Sequence, residues 1–332
     1  MKKAFIKKAI MLISLLLSVS VLSSCSLLGI RIDSNHFPDA KLWTWVRTCD
    51  SDGNGYLSKK EVEDAKSLII WEQCDDLSGI EYLTNLETLS LQHGSTISGI
   101  EKLANLKTLC ISDFTDLSGV EYPADLERIE IYSSVFSEPF VFDSDTSVTE
   151  FKFKDCIFEK GILFKNNSVE NVDFDDCGVS GDIVFADCDG LNHFHAYYDV
   201  KNADYDYMKE QSYNVDLSGC DNLDWFLICI ETEQTITSVD LSNCSKLRTF
   251  SIYEFNKLNS VNKTEITINI SGSPNIESVV LSESINELDI SDCPYLISAS
   301  EQTPSEKDYG GLIYESDNGY IDTENEQLLF IK

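Results

Sequence analysis

The sequence of 332 residues predicts a β-rich repeat solenoid, a fold in which successive turns of the chain stack on one another. Three segments align without gaps at a spacing of 20 residues: 77–80, 97–100 and 117–120. Each leads into a strand-like unit with the pattern apolar-x-x-apolar-x-apolar, at 86–91, 106–111 and 126–131. Self-similarity at a fixed period is typical of repeat architectures, in which no turn can bury its apolar face alone.

The later turns are predicted to carry two short strands each, one on each face, because apolar pairs recur there about every 11 residues. One set is expected to form the first sheet: Phe151/Phe153, Val172/Phe174, Phe194/Ala196, Val215/Leu217, Val239/Leu241 and Val279/Leu281. The other set is expected on the opposite face: Ile162/Phe164, Ile183/Phe185, Phe226/Ile228, Phe250/Ile252, Ile268/Ile270 and Leu288/Ile290. In the early turns a short helical segment, such as 99–103, is expected on the back instead.

The early units carry the Leu-x-x-Leu-x-Leu core of leucine-rich repeats, as in Leu86-Glu-Thr-Leu89-Ser-Leu91. The chain resembles that family from about residue 77 to residue 296. The resemblance implies a curved parallel sheet with turns of roughly 21 residues. A right-handed parallel β-helix has a two-sheet turn of similar length and is the alternative fold.

The first 25 residues have the pattern of an export signal. Four lysines, at positions 2, 3, 7 and 8, precede an apolar stretch at 9–22, which is too short for a transmembrane span of about 20 residues. Leu22-Ser-Ser-Cys25 then resembles the lipobox of bacterial lipoproteins, which implies cleavage before Cys25 and a diacylglycerol on its thiol. The alternative is an ordinary secretory signal with an incidental cysteine.

Residues 50–61 resemble an EF-hand calcium loop and lie between two segments with helical spacing of apolar residues, 38–48 and 58–70. In that motif Gly55 allows the sharp turn and Glu61 closes the loop as a bidentate ligand. Three carboxylates on one turn suit a hard cation. The resemblance implies one structural Ca²⁺ site with the ligands Asp50, Asp52, Asn54, Tyr56 (through its carbonyl), Ser58 and Glu61. The alternative is a ligand-free turn between two helices.

The charge balance narrows the range of partners. The chain has 57 acidic residues against 25 Lys and Arg, a formal net charge of −32. This balance argues against nucleic acid, because phosphate binding needs clustered cations, and it points to cationic or calcium-bridged partners. With 42% apolar and 11% aromatic residues, the chain can still bury a sizeable core.

Six cysteines close the same phrase after a predicted strand: Cys156, Cys177, Cys188, Cys220, Cys244 and Cys293. No pair of cysteines has the close spacing of a zinc site. Thiols stacked about 4.8 Å apart along a ladder point in parallel, which is poor disulfide geometry. We therefore expect buried thiols rather than disulfides. A bond between Cys49 and Cys74, which flank the calcium-type loop, is left open.

Outward residues of stacked strands form columns, and alignment of the first set of apolar pairs places His195 between Asp173 and Asp216. His193 and Tyr197 fall in the adjacent columns, and the long segment 199–212 lies at their edge. The candidate ligand-binding residues are therefore Asp173, His193, His195, Tyr197 and Asp216. The alternative interpretation is an ordinary solvated polar face.

The sequence carries none of the common catalytic motifs and has only four histidines. The predicted function is non-catalytic binding of a protein or glycan by a monomeric bacterial surface lipoprotein, anchored outside the cytoplasm through its lipid. The alternative function is a calcium-dependent polysaccharide lyase on a β-helix, with Arg128, Lys152, Lys154 or Arg248 over the sheet. The predicted organisation is 1–24 signal peptide, 25–36 lipidated tether, 37–76 helix-loop-helix cap, 77–298 solenoid and 299–332 C-terminal cap.

Overall fold

The computed structural model describes residues 29–74, 76–94, 97–143, 146–165, 168–198, 211–230, 235–254, 266–276, 278–282, 285–289, 292, 298–302, 311–315 and 329–331. The predicted signal peptide, Cys25, Cys293 and most of the 199–212 segment lie outside these residues. No helix within the described part is long and apolar enough to cross a membrane.

A sheet of twelve strands, here called the front sheet, forms one side of the solenoid. All neighbouring strands are parallel except the last pair. In chain order the strands are Ser67–Ile70, Thr88–Gln92, Thr108–Ser112, Arg128–Tyr132, Glu150–Lys154, Asn171–Asp175, His193–Tyr198, Trp225–Ile230, Thr249–Glu254, Ser278–Ser282, Ser298–Gln302 and Gly311–Glu315. Both the front sheet and its turns of 20 to 22 residues in the first half agree with the predicted solenoid.

The opposite side carries a parallel sheet of eight strands, here called the back sheet. Its strands are Phe140–Asp143, Ile162–Lys165, Ile183–Ala186, Ser212–Asp216, Thr235–Asp240, Ile266–Asn269, Ile285–Asp289 and Leu329–Ile331. Three two-residue strands form a small third sheet between the two: Val135–Phe136, Ile157–Phe158 and Gly178–Val179. The prediction of one strand on each face of the later turns is therefore confirmed.

The early turns have 3₁₀ helices on the back, at Ile80–Tyr82 and Ile100–Lys102, as the repeat predicts. Each is closed by an N–H bond, from Leu83 to Ile80 and from Leu103 to Ile100. The third repeat has Pro123 at the equivalent position, and proline has no N–H to donate and disfavours helical backbone at the residue before it. Accordingly, the structure has no 3₁₀ helix at 120–122.

Before the solenoid, helix Ala40–Val46 and the 3₁₀ turn Arg47–Cys49 lead into the calcium-type loop, and helix Lys59–Asp64 follows it. The second predicted helix is wrong beyond residue 66, because Ser67–Ile70 is the first front strand. Leu68 and Ile70 alternate inward with exposed neighbours and pair with Thr88–Leu91, so strand pairing outweighs the helical spacing.

The segment predicted as a tether, 25–36, is folded where the structure describes it. Ile30–Arg31 pairs antiparallel with Tyr56–Leu57, and Ile32 is buried and donates its N–H to the carbonyl of Gly55. Gly29 at φ +87° lies against the Leu57 carbonyl, where a Cβ would come within 2.2 Å. The calcium-type loop thus pairs with the N-terminal segment.

The four pairs around residues 215–252 are on the opposite faces from those predicted. Val215/Leu217 and Val239/Leu241 belong to the back of the solenoid, whereas Phe226/Ile228 and Phe250/Ile252 belong to the front sheet. The strand that pairs with His193–Tyr198 is Trp225–Ile230, so that turn spans 32 residues. Front and back strands bury side chains with the same alternation, so the sequence pattern alone does not identify the face after a long insertion.

The core consists of inward side chains stacked on their equivalents in the next turn. Phe153 stacks on Phe174 at 4.9 Å between ring centroids, Phe164 on Phe185 at 4.7 Å, and Phe194 on Phe226 at 5.2 Å. These rings are at most 2% exposed. Stacking between turns therefore joins the front and back sheets into one continuous core.

The predicted cysteine ladder is two ladders, because the turns after front strands and after back strands carry the same phrase. Cys156 and Cys177 follow front strands, whereas Cys188, Cys220 and Cys244 follow back strands. All five are fully buried, and Cys156 Sγ donates to the carbonyls of Lys154 and Ile131. Their positions are fixed by the preceding residue, which is Asp, Asn or Gly at positive φ in each case.

The structure contains no disulfide among the nine described cysteines, Cys49 and Cys74 included. Burial raises the pKa of the Cys244 thiol to about 12, and burial next to Glu130 does the same for Cys110. Thiols with such pKa values stay protonated and react slowly.

The core account predicts that Phe164→Ala destabilises the protein far more than Leu163→Ala on the same strand. Phe164 is fully buried between stacked rings, whereas Leu163 points outward and is half-buried. We expect a loss of about 3 to 5 kcal/mol in the free energy of unfolding for Phe164→Ala and less than about 1 kcal/mol for Leu163→Ala. Urea denaturation followed by circular dichroism measures both, and equal losses would contradict the assignment of faces.

Candidate functional site

Three carboxylates converge in the calcium-type loop. One oxygen from each of Asp50, Asp52 and Glu61 lies within 4.8 Å of the other two. Gly55, at φ +83°, donates its N–H to Asp50 Oδ2 at 2.8 Å and turns the chain back toward the cluster. A turn of this kind needs a residue that tolerates positive φ, which glycine does without steric cost.

The Glu61 carboxylate is held from two sides. Ser58 N–H donates to its Oε2 at 2.8 Å, and the N–H and hydroxyl of Ser51 donate to its Oε1 at 2.8 Å. Ser58 Oγ in turn accepts the Glu61 N–H, which completes a capping box at the start of helix Lys59–Asp64. These bonds, that from Ser58 N–H above all, lower the Glu61 pKa to about 2, so the group is ionised at neutral pH.

The other predicted ligands are arranged around this cluster. Asn54 donates its side-chain amide to Asp52 Oδ2 at 2.8 Å and accepts the N–H of Tyr56. Tyr56 pairs with Arg31 of the N-terminal strand, and Ser58 caps the helix. The donor set is entirely oxygen and strongly anionic, which fits a hard divalent cation such as Ca²⁺.

A second cluster lies on the outward face of the front sheet. Asp173, His195 and Leu227 are neighbours in one column, and Asn171, His193 and Trp225 form the next. Tyr197 lies in a third column, between Asp175 and Cys229. Four of the five candidate ligand-binding residues, Asp173, His193, His195 and Tyr197, therefore share this face.

Asp216 does not belong to this cluster, and its predicted place beside His195 is wrong. It lies on a back strand, where it pairs with Val184 and Asp240. The position next to His195 is taken by Leu227, because the long turn 194–226 shifts the alternation of front and back strands by one strand.

His195 is oriented by an acid on one side and an aromatic ring on the other. Its Nδ1 lies 2.6 Å from Asp173 Oδ1, and its ring centroid is 5.8 Å from that of Trp225. The hydrogen bond to His195 holds the pKa of the Asp173 carboxyl below its usual range, with a smaller contribution from Lys152. The pair is fixed at the surface, since the Asp173 side chain is 47% exposed and that of His195 is 34% exposed.

Trp225 forms the floor of a shallow groove of about 530 Å³, lined also by His193, Asp224, Arg248 and Thr249. The His193 ring centroid lies 6.0 Å from that of Trp225. Arg248 bonds Asp224 through two nitrogens, at 2.5 and 2.6 Å, and this contact lowers the pKa of Asp224. The groove thus combines a half-buried aromatic face with planar polar groups at fixed positions.

Most of the basic residues on the front face are neutralised by neighbouring acids. Arg128 lies 2.6 Å from Glu150, Lys154 lies 2.6 Å from Asp175, and Arg248 is bonded to Asp224. Lys152 is placed between Glu130 and Asp173 in its column. This arrangement gives none of the four residues considered for lyase chemistry an isolated position over the sheet.

Sequence reasoning missed Trp225 and Asp224, because the 226/228 pair was assigned to the back. The signal that could have found them is the phrase Trp225-Phe-Leu-Ile-Cys229, which matches His193-Phe-His-Ala-Tyr197 in length and alternation. Placed beside each other, the two phrases put Trp225 next to His193.

We predict that His195→Phe raises the pKa of Asp173 toward the ordinary value of about 3.9, because it removes the hydrogen bond that lowers it. A lowered carboxyl pKa stabilises the fold above the unfolded value, and this stabilisation is lost as the pH falls through the folded value. A ¹³C NMR titration of the carboxyl measures the shift. Asp216→Asn is the matched control, and a shift of the Asp173 pKa in that variant would contradict the assigned register.

No protein-family model and no curated protein matches the chain. Among solved structures it is similar to an internalin (inlF) of Listeria monocytogenes, with 16% identity over 82% of this chain and 98% of that chain and a TM-score of 0.33. It is also similar to internalin C2 (inlC2) of the same species, with 15% identity over 83% and 98% of the two chains and a TM-score of 0.32. The third is the functional domain of InlJ of Listeria monocytogenes, which includes a cysteine ladder; identity is 14% over 83% and 77% of the two chains, with a TM-score of 0.34.

Proposed function

We propose that this chain is an exported, lipid-anchored bacterial protein that binds a protein or glycan partner on the outward face of its front sheet. The observation that carries the proposal is the Trp225 groove, where an aromatic ring, two histidines and an Asp–Arg pair converge on paired strands. Aromatic side chains on a rigid element supply contact area at low entropic cost and dominate many binding surfaces. Export and the lipid on Cys25 rest on the N-terminal sequence pattern.

The calcium-type loop is proposed to hold one structural Ca²⁺ through Asp50, Asp52 and Glu61, with Asn54, the Tyr56 carbonyl and Ser58 as the remaining ligands. The ion would neutralise three carboxylates that otherwise repel one another. The loop connects helix Lys59–Asp64 to the N-terminal strand Ile30–Arg31 and lies immediately before the first front strand. The proposed role is to stabilise this end of the solenoid.

We predict that Glu61→Gln abolishes calcium binding, measured by isothermal titration calorimetry, because it removes the carboxylate that closes the loop. The wild-type affinity is expected to be weak, with a Kd of about 10⁻⁴ to 10⁻³ M, as for isolated external sites. Glu63→Gln is the matched control, since Glu63 lies on the same helix and bonds only Lys59 in the described part of the chain. Unchanged calcium binding by Glu61→Gln would refute the site.

The partner is sought by incubating residues 26–332 with a panel of polysaccharides and matrix proteins, with and without calcium. Retention and newly formed polysaccharide chain ends are read together. We expect retention without new ends, and Trp225→Ala should weaken retention by about tenfold or more. Trp71→Ala is the control, because Trp71 is 52% exposed and lies outside the groove.

New chain ends that disappear on chelation would instead support the lyase alternative. Retention that is equal in the Trp225→Ala and Trp71→Ala variants would leave binding in place but move it away from the groove.

A further inference from the structure

The solenoid has a second groove on its back, where the 3₁₀ helices of the early turns give way to back strands. The groove has a volume of about 640 Å³ and lies between residues 115–122 and the first back strand, Phe140–Asp143. It opens at the turn in which Pro123 prevents a 3₁₀ helix. Ile80 and Ile100 are fully buried in their turns, whereas the equivalent Val120 is partly exposed.

The strand along this groove is the edge of the back sheet. Phe140–Asp143 has one neighbouring strand, Ile162–Lys165, and none on its other side among the described residues. Phe140 donates its N–H toward that neighbour, to the carbonyl of Gly161 at 3.1 Å. Because peptide groups alternate sides along a strand, the N–H and carbonyl of Val141 point to the open edge.

The open edge has few of the usual features that prevent pairing. Exposed edge strands are normally blocked by lysine, by proline within the strand or by a covering segment. Here the outward residue is Val141, which is 47% exposed, and Tyr122 packs its ring 5.6 Å from that of Phe142 and forms the apolar floor of the groove. The strand therefore presents a free donor and acceptor beside an apolar floor.

The rim of the groove is acidic. Asp116, Glu121, Glu138 and Asp143 line it, and no Lys, Arg or His is among its described lining residues. Glu138 lies 2.8 Å from Lys160 and is partly neutralised, which leaves three exposed carboxylates without a basic partner in the described ion pairs. An occupant with positive charges on one side would be attracted to this rim.

We infer that this groove binds an extended basic segment of a partner protein, which adds to the back sheet as a further strand along Phe140–Asp143. Strand addition satisfies the Val141 peptide groups, and alternation of the segment places apolar side chains on Tyr122 and basic side chains at the rim. A second copy of this chain is a poor occupant, because pairing of two such edges would bring their carboxylates together.

The test uses the exported chain with Cys25→Ser and a fluorescent heptapeptide of alternating Lys and Val, with fluorescence anisotropy as the readout. We expect saturable binding that weakens with salt, and at least tenfold weaker binding of the corresponding Glu/Val peptide. Methylation of the alternate peptide nitrogens that face the edge should weaken binding by about tenfold or more, whereas methylation of the other nitrogens should not. This comparison uses unmodified protein and therefore does not depend on how a variant folds.

Two protein variants locate the site. Val141→Pro removes the edge donor without removing a bond to Ile162–Lys165 and is compared with Val141→Thr, which keeps the N–H. The triple variant Asp116→Asn, Glu121→Gln and Asp143→Asn is compared with Glu101→Gln, Glu170→Gln and Asp221→Asn, which remove three exposed charges elsewhere.

We expect about tenfold weaker binding for Val141→Pro and for the groove triple, and unchanged binding for both controls. Equal binding of the Lys/Val and Glu/Val peptides, or undiminished binding by Val141→Pro, would overturn the inference. Concentration-dependent dimerisation abolished by Val141→Pro would overturn the assigned occupant in favour of a second copy.

Discussion

Each turn of this protein is stabilised by the turns before and after it, through parallel strand pairing and the stacking of inward side chains on their equivalents. The Phe153–Phe174, Phe164–Phe185 and Phe194–Phe226 stacks show that the register is kept across both sheets, including the turn with the long insertion. Because the inward side chains fix the register, the outward ones are fixed as well. The His195–Asp173 pair and the Trp225 groove are consequences of that register.

The repeating parts of the fold could be read from the sequence. The spacing of the early units predicted the front strands and the 3₁₀ turns, and the 11-residue alternation predicted the back sheet. The Asp-, Asn- or Gly-Cys phrase marked a position of positive φ followed by a buried thiol. These features repeat, so each occurrence supports the others.

The parts that the sequence predicted wrongly are those where two interpretations share the same local pattern. Leu68 and Ile70 fit a helix as well as a strand, and only pairing with Leu89 and Leu91 decides between them. Val215 and Phe226 each begin an apolar pair, and only the length of the preceding turn assigns one to the back and the other to the front. The error at Asp216 follows from the second case, and it also concealed Trp225.

The surface divides into regions with different chemistry. The front face has ion-paired columns that end in an aromatic groove, the N-terminal loop concentrates three carboxylates, and the back carries an acidic groove along a strand edge. A chain with a net charge of −32 thus has its neutral, aromatic surface where partner binding is proposed. The central claim is that this surface is the one covered in the complex.

Hydroxyl-radical footprinting of the chain, alone and with a partner retained from the panel, tests this claim most directly because it reports on individual side chains. The account predicts protection of Trp225, Leu227 and Tyr197 on the front face, with no change at Trp71 or at Leu163 on the back sheet. Protection confined to Leu163 and its back-sheet neighbours, with Trp225 unchanged, would contradict it.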